Sequence, residues 1–360
     1  MAIFPHGVTV GIILRGILFL QIPFEQVQGA SDFQVTTTKY SIELTCKPNG
    51  QAVNYTAELR MSSGYTSEIK NVIPPYNGLT LNFTYFTSLP GTKYSVRLME
   101  DLGNGSRNVF EREVATVPLQ PTDITVQERG SNFLQLQWKK ANDGLSEGHK
   151  LHYKRENGTW QMTTIQGVMN YSLNGLEPGY TYQIYLVAFT LDKESQRSDI
   201  INASTLPLPP TNVSARALDS ETIQVNWMTN SSSFQEQFQI RYSKSSSSNE
   251  TTNCTNSPCS FSPGPPAGQV VLIFVSSLSH GYNSAWVKLE HSTAPGKVTN
   301  VKAIEGVASV NLSWTAPAGS LQENYIISLR YRNNTQNFTV PSSQLSRRVD
   351  SLKGGYMYSV

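Results

Sequence analysis

Three cysteines and five histidines are the side chains through which this sequence could do metal, redox or nucleophilic chemistry. Cys254 and Cys259 enclose Thr-Asn-Ser-Pro. Asn256 and Pro258 favour a turn between them, so the spacing suits a disulfide, with two free thiols in a loop as the alternative. No histidine or second cysteine pair stands at ligand spacing, so a metal site gains no support and no cofactor is expected. His149 and His152 flank Leu151 in an expected strand. Their odd spacing sends them to opposite faces, so they cannot share a metal, and both read as solvated. His280 and His291 have no partner at ligand spacing, and His6 belongs to an N-terminal leader. Nucleophile-elbow, phosphate-loop and zinc-protease motifs are missing, so no enzyme and no small-molecule substrate is expected. A net charge of +2, without a charged block, makes no case for nucleic acid.

A different chemistry is well represented. Asn-x-Ser/Thr acceptors for N-glycosylation occur at Asn54, Asn82, Asn104, Asn157, Asn170, Asn202, Asn212, Asn230, Asn249, Asn253, Asn311, Asn333 and Asn337. Composition alone would supply roughly five, so the excess points to the secretory pathway. The N-terminus agrees. Arg15 precedes the apolar run Gly16–Ile22, and Val27-Gln28-Gly29 suits a cleavage site, so residues 1–30 read as a signal peptide. Arg15, Gln21 and Pro23 interrupt the stretch, which argues against a spanning helix there.

The elements that position these residues follow a period of about 90 residues. A strand phrase of alternating apolar and polar residues occurs as Ile42–Cys46, Leu134–Trp138, Ile223–Trp227 and Val310–Trp314. Thr-x-Pro recurs at Thr116, Thr205 and Thr293. An aromatic strand start recurs at Tyr94, Tyr182 and Tyr358, with Val271 at the matching place in the third copy. The prolines end strands at domain edges, which sets domains at 32–117, 118–206, 207–294 and 295–360. Short strands between Gly, Asn, Pro and Ser clusters predict an all-β chain of sandwiches. Cys46 takes the place of the tryptophan in the first copy, so it is expected in the core as a small hydrophobe. The fourth copy stops two residues after Tyr358 and is expected to be incomplete, lacking the end of strand F and all of strand G.

The turns Leu176–Tyr182, Leu352–Tyr358 and the shorter Leu89–Tyr94, with Trp138, Trp227 and Trp314, resemble tandem fibronectin type III domains. The resemblance implies core roles for those tryptophans and for Cys46. It also implies tyrosine corners at Tyr94, Tyr182 and Tyr358, whose hydroxyls bond nearby backbone. The third copy departs from it at Val271, and its fifth strand is expected to be irregular. A signal followed by glycosylated repeats of this kind is similar to receptor-type tyrosine phosphatases with purely fibronectin-type ectodomains. Tenascin-like adhesion proteins share the module.

The resemblance implies an extracellular binding or spacer region of a receptor or adhesion protein, at the plasma-membrane surface or secreted. Its partner would be an extracellular protein or a like ectodomain, with membrane attachment only through sequence further on. Two loops are candidates for contact. Leu191–Asp199 is charged, and Ser279–Trp286 carries Tyr282 and Trp286 as aromatic anchors. Ser243–Thr252, with four consecutive serines, reads as a flexible loop.

Overall fold

The computed structural model describes residues 29–64, 67–73, 79–87, 89–142, 144–243, 249–263 and 267–360. Residues 1–28, most of the segment expected to be a signal peptide, lie outside them. The described residues form strands and turns without a helix, so none crosses a membrane as a helix. The chain divides into two compact units, Met1–Ser88 with Lys93–Thr116, and Leu89–Thr92 with Val117–Val360.

The first unit is one sandwich. Strands Ser31–Thr37, Ser41–Lys47 and Leu81–Phe86 form one sheet. The second sheet runs in the order Ser67–Val72, Asn54–Met61, Lys93–Asp101, Ser106–Ala115. The alternation of the repeated phrase explains the packing. In Ser41–Lys47, residues Ile42, Leu44 and Cys46 are buried while their neighbours lie half open. They meet Tyr55, Ala57, Val96 and Leu98 of the facing sheet.

The second unit repeats the arrangement three times. In the second sandwich, Phe133–Lys139 pairs with Thr122–Arg129 and Asn170–Asn174. The facing sheet places Gly148–Arg155 between the edge strand Gln161–Gln166 and Thr181–Thr190. Leu134, Leu136 and Trp138 fill the core with Leu151, Ile184 and Leu186. The third sandwich has the same order. Ile223–Met228 lies between Thr211–Ala217 and Cys259–Phe261, and Gln237–Ser243 lies between the edge strand Asn249–Cys254 and Val270–Ser279. The fifth strand, expected to be irregular, is three residues long.

In the fourth sandwich, Val310–Thr315 pairs with Thr299–Glu305 and Ser346–Val349. Its facing sheet has two strands, Asn324–Tyr331 and the edge strand Asn334–Pro341. Beside them opens a cavity of about 620 Å³ lined by Leu312, Trp314, Tyr325 and Ile327. In the second and third sandwiches, Thr181–Thr190 and Val270–Ser279 occupy the corresponding place. The turn tyrosines take backbone donors: Glu177 N–H donates to the Tyr182 hydroxyl at 2.8 Å, and Lys353 N–H to that of Tyr358 at 3.0 Å. Tyr94 and Val271 are buried.

One expectation fails outright. Ser243–Thr252 is not loop throughout: Asn249–Cys254 is a strand paired with Gln237–Ser243, in the register Phe238 opposite Cys254. An edge strand needs one pairing neighbour and no apolar stripe, so its polar composition hid it. The serines at 245–248 lie outside the described residues.

Candidate functional site

The residues with chemical potential are dispersed. Among the described residues no cluster of His, Cys, Asp and Glu could hold a metal ion. His149 corrects the expectation of a solvated imidazole. It is 1% exposed and packs edge-on against Trp138 at 5.5 Å. The cause is parity, since His149 shares the inward face of its strand with Leu151. Burial holds its pKa down at about 4, and its Nδ1 has no hydrogen-bond partner among the described residues. His280 Nδ1 lies 3.5 Å from Glu236.

Cys254 and Cys259 are bonded to each other, with Cα atoms 6.2 Å apart. Cys254 packs in the third core. Cys46 is a free thiol at 0% exposure, and burial, then the charge of Glu100, push its pKa up to about 11. A thiol so held is a poor nucleophile.

Ten acceptor asparagines have exposed side chains: Asn82, Asn104, Asn157, Asn170, Asn202, Asn212, Asn253, Asn311, Asn333 and Asn337. Asn54 and Asn230 are half-buried.

Both aromatic anchors of the third sandwich's loop have partners within the chain. The Arg129 guanidinium lies 4.5 Å from the Tyr282 ring centre, and Arg241 stands 4.5 Å over Trp286. In the charged loop of the second sandwich, Lys193 and Glu194 form a short strand, and Glu194 pairs with Lys150 at 2.5 Å.

One surface aromatic group escaped sequence reading. It lies on the outward face of the second sandwich. His152 stacks on Tyr185 with ring centres 4.6 Å apart and planes 8° apart. Trp160 meets the same Tyr185 edge-on at 4.8 Å. Lys154 Nζ stands 5.2 Å over Trp160, and Arg197 stands 5.9 Å over Tyr185. Trp160 is 42% exposed, and Met162 beside it 51%. Strand register explains the assembly: His152 lies opposite both Met162 and Tyr185. Burial, partly offset by Glu194, lowers the pKa of His152, which favours the neutral ring that stacks. A rigid aromatic cluster carrying two cations suits contact with a protein surface. The signal available in sequence was the alternation Lys150, His152, Lys154, with Trp160 and Met162 on the strand that follows.

Residues 119–204, the second sandwich, match the fibronectin type III domain family. The other three sandwiches have the same layered plan, and the chain is a tandem of all-β sandwiches of this kind. Over 312 residues it is 23% identical to tenascin of Mus musculus, covering 83% of this chain and 14% of the relative. It is 23% identical to receptor-type tyrosine-protein phosphatase eta of Gallus gallus, over 89% of this chain and 22% of the relative. It is 22% identical to receptor-type tyrosine-protein phosphatase H of Homo sapiens, over 75% of this chain and 24% of the relative. The chain therefore spans a quarter or less of the length of these relatives. The likeness supports an extracellular region of the adhesion or receptor type.

Proposed function

We propose that this chain is the glycosylated extracellular binding and spacer region of a cell-surface receptor or adhesion protein. The observation that carries the reading is the outward face of the second sandwich. Trp, Tyr and Arg dominate protein contact energies, and here Trp160, Tyr185 and Arg197 are held together in a pre-formed array. The favoured partner is an extracellular protein that offers carboxylates to Lys154 and Arg197 and an aliphatic surface to Trp160 and Met162. Catalysis has no part in it.

The test is a binding array of recombinant cell-surface ectodomains, probed with the secreted chain and with a Trp160→Ala, Lys154→Glu, Arg197→Glu variant. The expected result is a binder whose affinity falls about tenfold or more in the variant, as for loss of an interface hot spot. A binder that holds the variant equally well would refute this face. An array without any binder would count against the binding role.

Within this class, the ectodomain of a receptor-type tyrosine phosphatase is the finer reading, with any phosphatase chemistry in a cytoplasmic domain that is not this chain. A secreted matrix protein of tenascin type is the competing one, since tenascin is 23% identical over 83% of the chain, on a par with phosphatase eta. Sequencing the transcript past the Val360 codon separates them: a membrane span and catalytic domain, or further repeats alone.

A further inference from the structure

The turn before the sixth strand of one sandwich receives a loop of the next, and it does so in the same way at two successive joints of the second unit. At the first joint, Gly179 adopts φ +78°. A Cβ there would lie 2.0 Å from the Phe234 carbonyl oxygen. Phe234 N–H donates to the Pro178 carbonyl at 3.0 Å, and Gly179 N–H donates to that of Leu206 at 3.1 Å. Leu208 N–H donates to the Ser233 hydroxyl at 2.9 Å. At the second joint, Gly268 adopts φ +76°, and its Cβ would lie 1.9 Å from the Leu321 carbonyl oxygen. Leu321 N–H donates to the Ala267 carbonyl at 2.7 Å, and Gly268 N–H to that of Ala294 at 3.1 Å. Gly296 N–H donates to the Ser320 hydroxyl at 2.9 Å.

The offsets agree residue by residue. Each socket glycine meets the residue seven positions after the core tryptophan of the next sandwich, Phe234 after Trp227 and Leu321 after Trp314. Each plug residue follows a serine that caps the linker two positions beyond the carbonyl bonded by the glycine. Four matching contacts at two joints are not explained by chance loop packing. The first joint adds more. Ser279, fully buried, donates its hydroxyl to the Gly179 carbonyl at 2.8 Å. Phe234 is flanked by Tyr180 at 5.4 Å and His280 at 5.7 Å. Arg129 over Tyr282 spans the same joint.

Gly355 separates two explanations of the glycine. It occupies the same turn position in the fourth sandwich, with φ +76° and no atom within reach of its Cβ. The positive φ thus belongs to the turn, whereas the close approach belongs to the joint. Any side chain at Gly179 or Gly268 meets backbone, which cannot step aside.

We propose that this serine–apolar plug in a glycine socket is a built interface between successive sandwiches, and that it holds the second, third and fourth as one stiff segment. Independent motion is the default for linked domains with small polar contacts. This interface removes it by seating one backbone on the next. The inference rests on the spacer role proposed above and gives it a physical basis.

The test uses the full chain with nitroxide labels at the exposed positions Gln127 and Glu221, one in the second sandwich and one in the third. Electron–electron double resonance should return a single narrow distance distribution. Gly179→Ala should broaden it about two-fold or more, toward freely linked domains. Gly355→Ala carries the same backbone penalty without the collision and should leave the width unchanged. Phe234→Ala, which keeps the backbone contact, should give an intermediate width. An unchanged width in Gly179→Ala, or equal broadening in Gly355→Ala, would overturn the proposal. No ligand enters the measurement, so a floppy joint would refute the interface while leaving binding by the second sandwich to its own assay.

Discussion

Lowering the pH should loosen the second sandwich through His149. The imidazole is buried against Trp138, its Nδ1 without a hydrogen-bond partner among the described residues, and it resists protonation until about pH 4. In the unfolded chain the same group protonates near 6.5. The folded pKa lies below the unfolded one, so the unfolded state binds the proton first. Stability is therefore full above pH 6.5 and falls as the pH drops from 6.5 toward 4. The gap, at 1.36 kcal/mol per pH unit, gives a loss of about 3 kcal/mol, a large part of the roughly 5–15 kcal/mol that holds a domain. Hydrogen exchange read by mass spectrometry at the Leu134–Trp138 amides isolates this sandwich from its neighbours. After correction for intrinsic exchange, protection there should fall between pH 6.5 and 4 in the native chain. It should stay flatter in a His149→Leu variant. Equal pH dependence in the two proteins would refute the argument.

Cys46→Asp should destabilise the first sandwich by several kcal/mol, because it buries a carboxylate at a fully enclosed position, and thermal unfolding will report it. Unchanged stability would mean that the strand can turn this position to water. Non-reducing peptide mapping of secreted material should link Cys254 to Cys259; finding both alkylated without reductant would refute the bridge. Opening so short a loop should cost about 2 kcal/mol at most, so the third sandwich should stay folded in the reduced state. Residues 295–360 in isolation should lack a sharp thermal transition, given the cavity of about 620 Å³ beside Trp314, whereas 118–206 should show one. Cooperative melting of 295–360 would contradict that reading of its core.

Parity made much of the core legible. Once Ile42, Leu44 and Cys46 alternate with polar neighbours, their burial follows from strand geometry, and the same holds at Trp138, Trp227 and Trp314. His149 obeyed that rule too, but its polarity argued for solvent and masked the parity. The strand Asn249–Cys254 was hidden because an edge needs no apolar stripe. The aromatic face is non-local: His152, Trp160 and Tyr185 come from neighbouring strands, and pairing register alone brings them together. The sockets were hidden for a related reason. Phe234 and Leu321 look like ordinary loop residues until the glycine facing each is known.

The edge strands carry a consequence for how such chains crowd together. An unpaired edge is a template on which another copy can extend the sheet, the first step of aggregation. Asn253 and Asn337 stand exposed on two of these edges, each within a glycan acceptor. A sugar chain at either position would set a bulky hydrated branch where a foreign strand has to lie. Ser67–Val72 instead offers Glu68 and Lys70, whose charges resist burial against a second copy. Gln161–Gln166 has neither device, only Gln, Met, Thr and Ile. Colloidal protection is thus uneven along the chain, and it is thin beside the aromatic face.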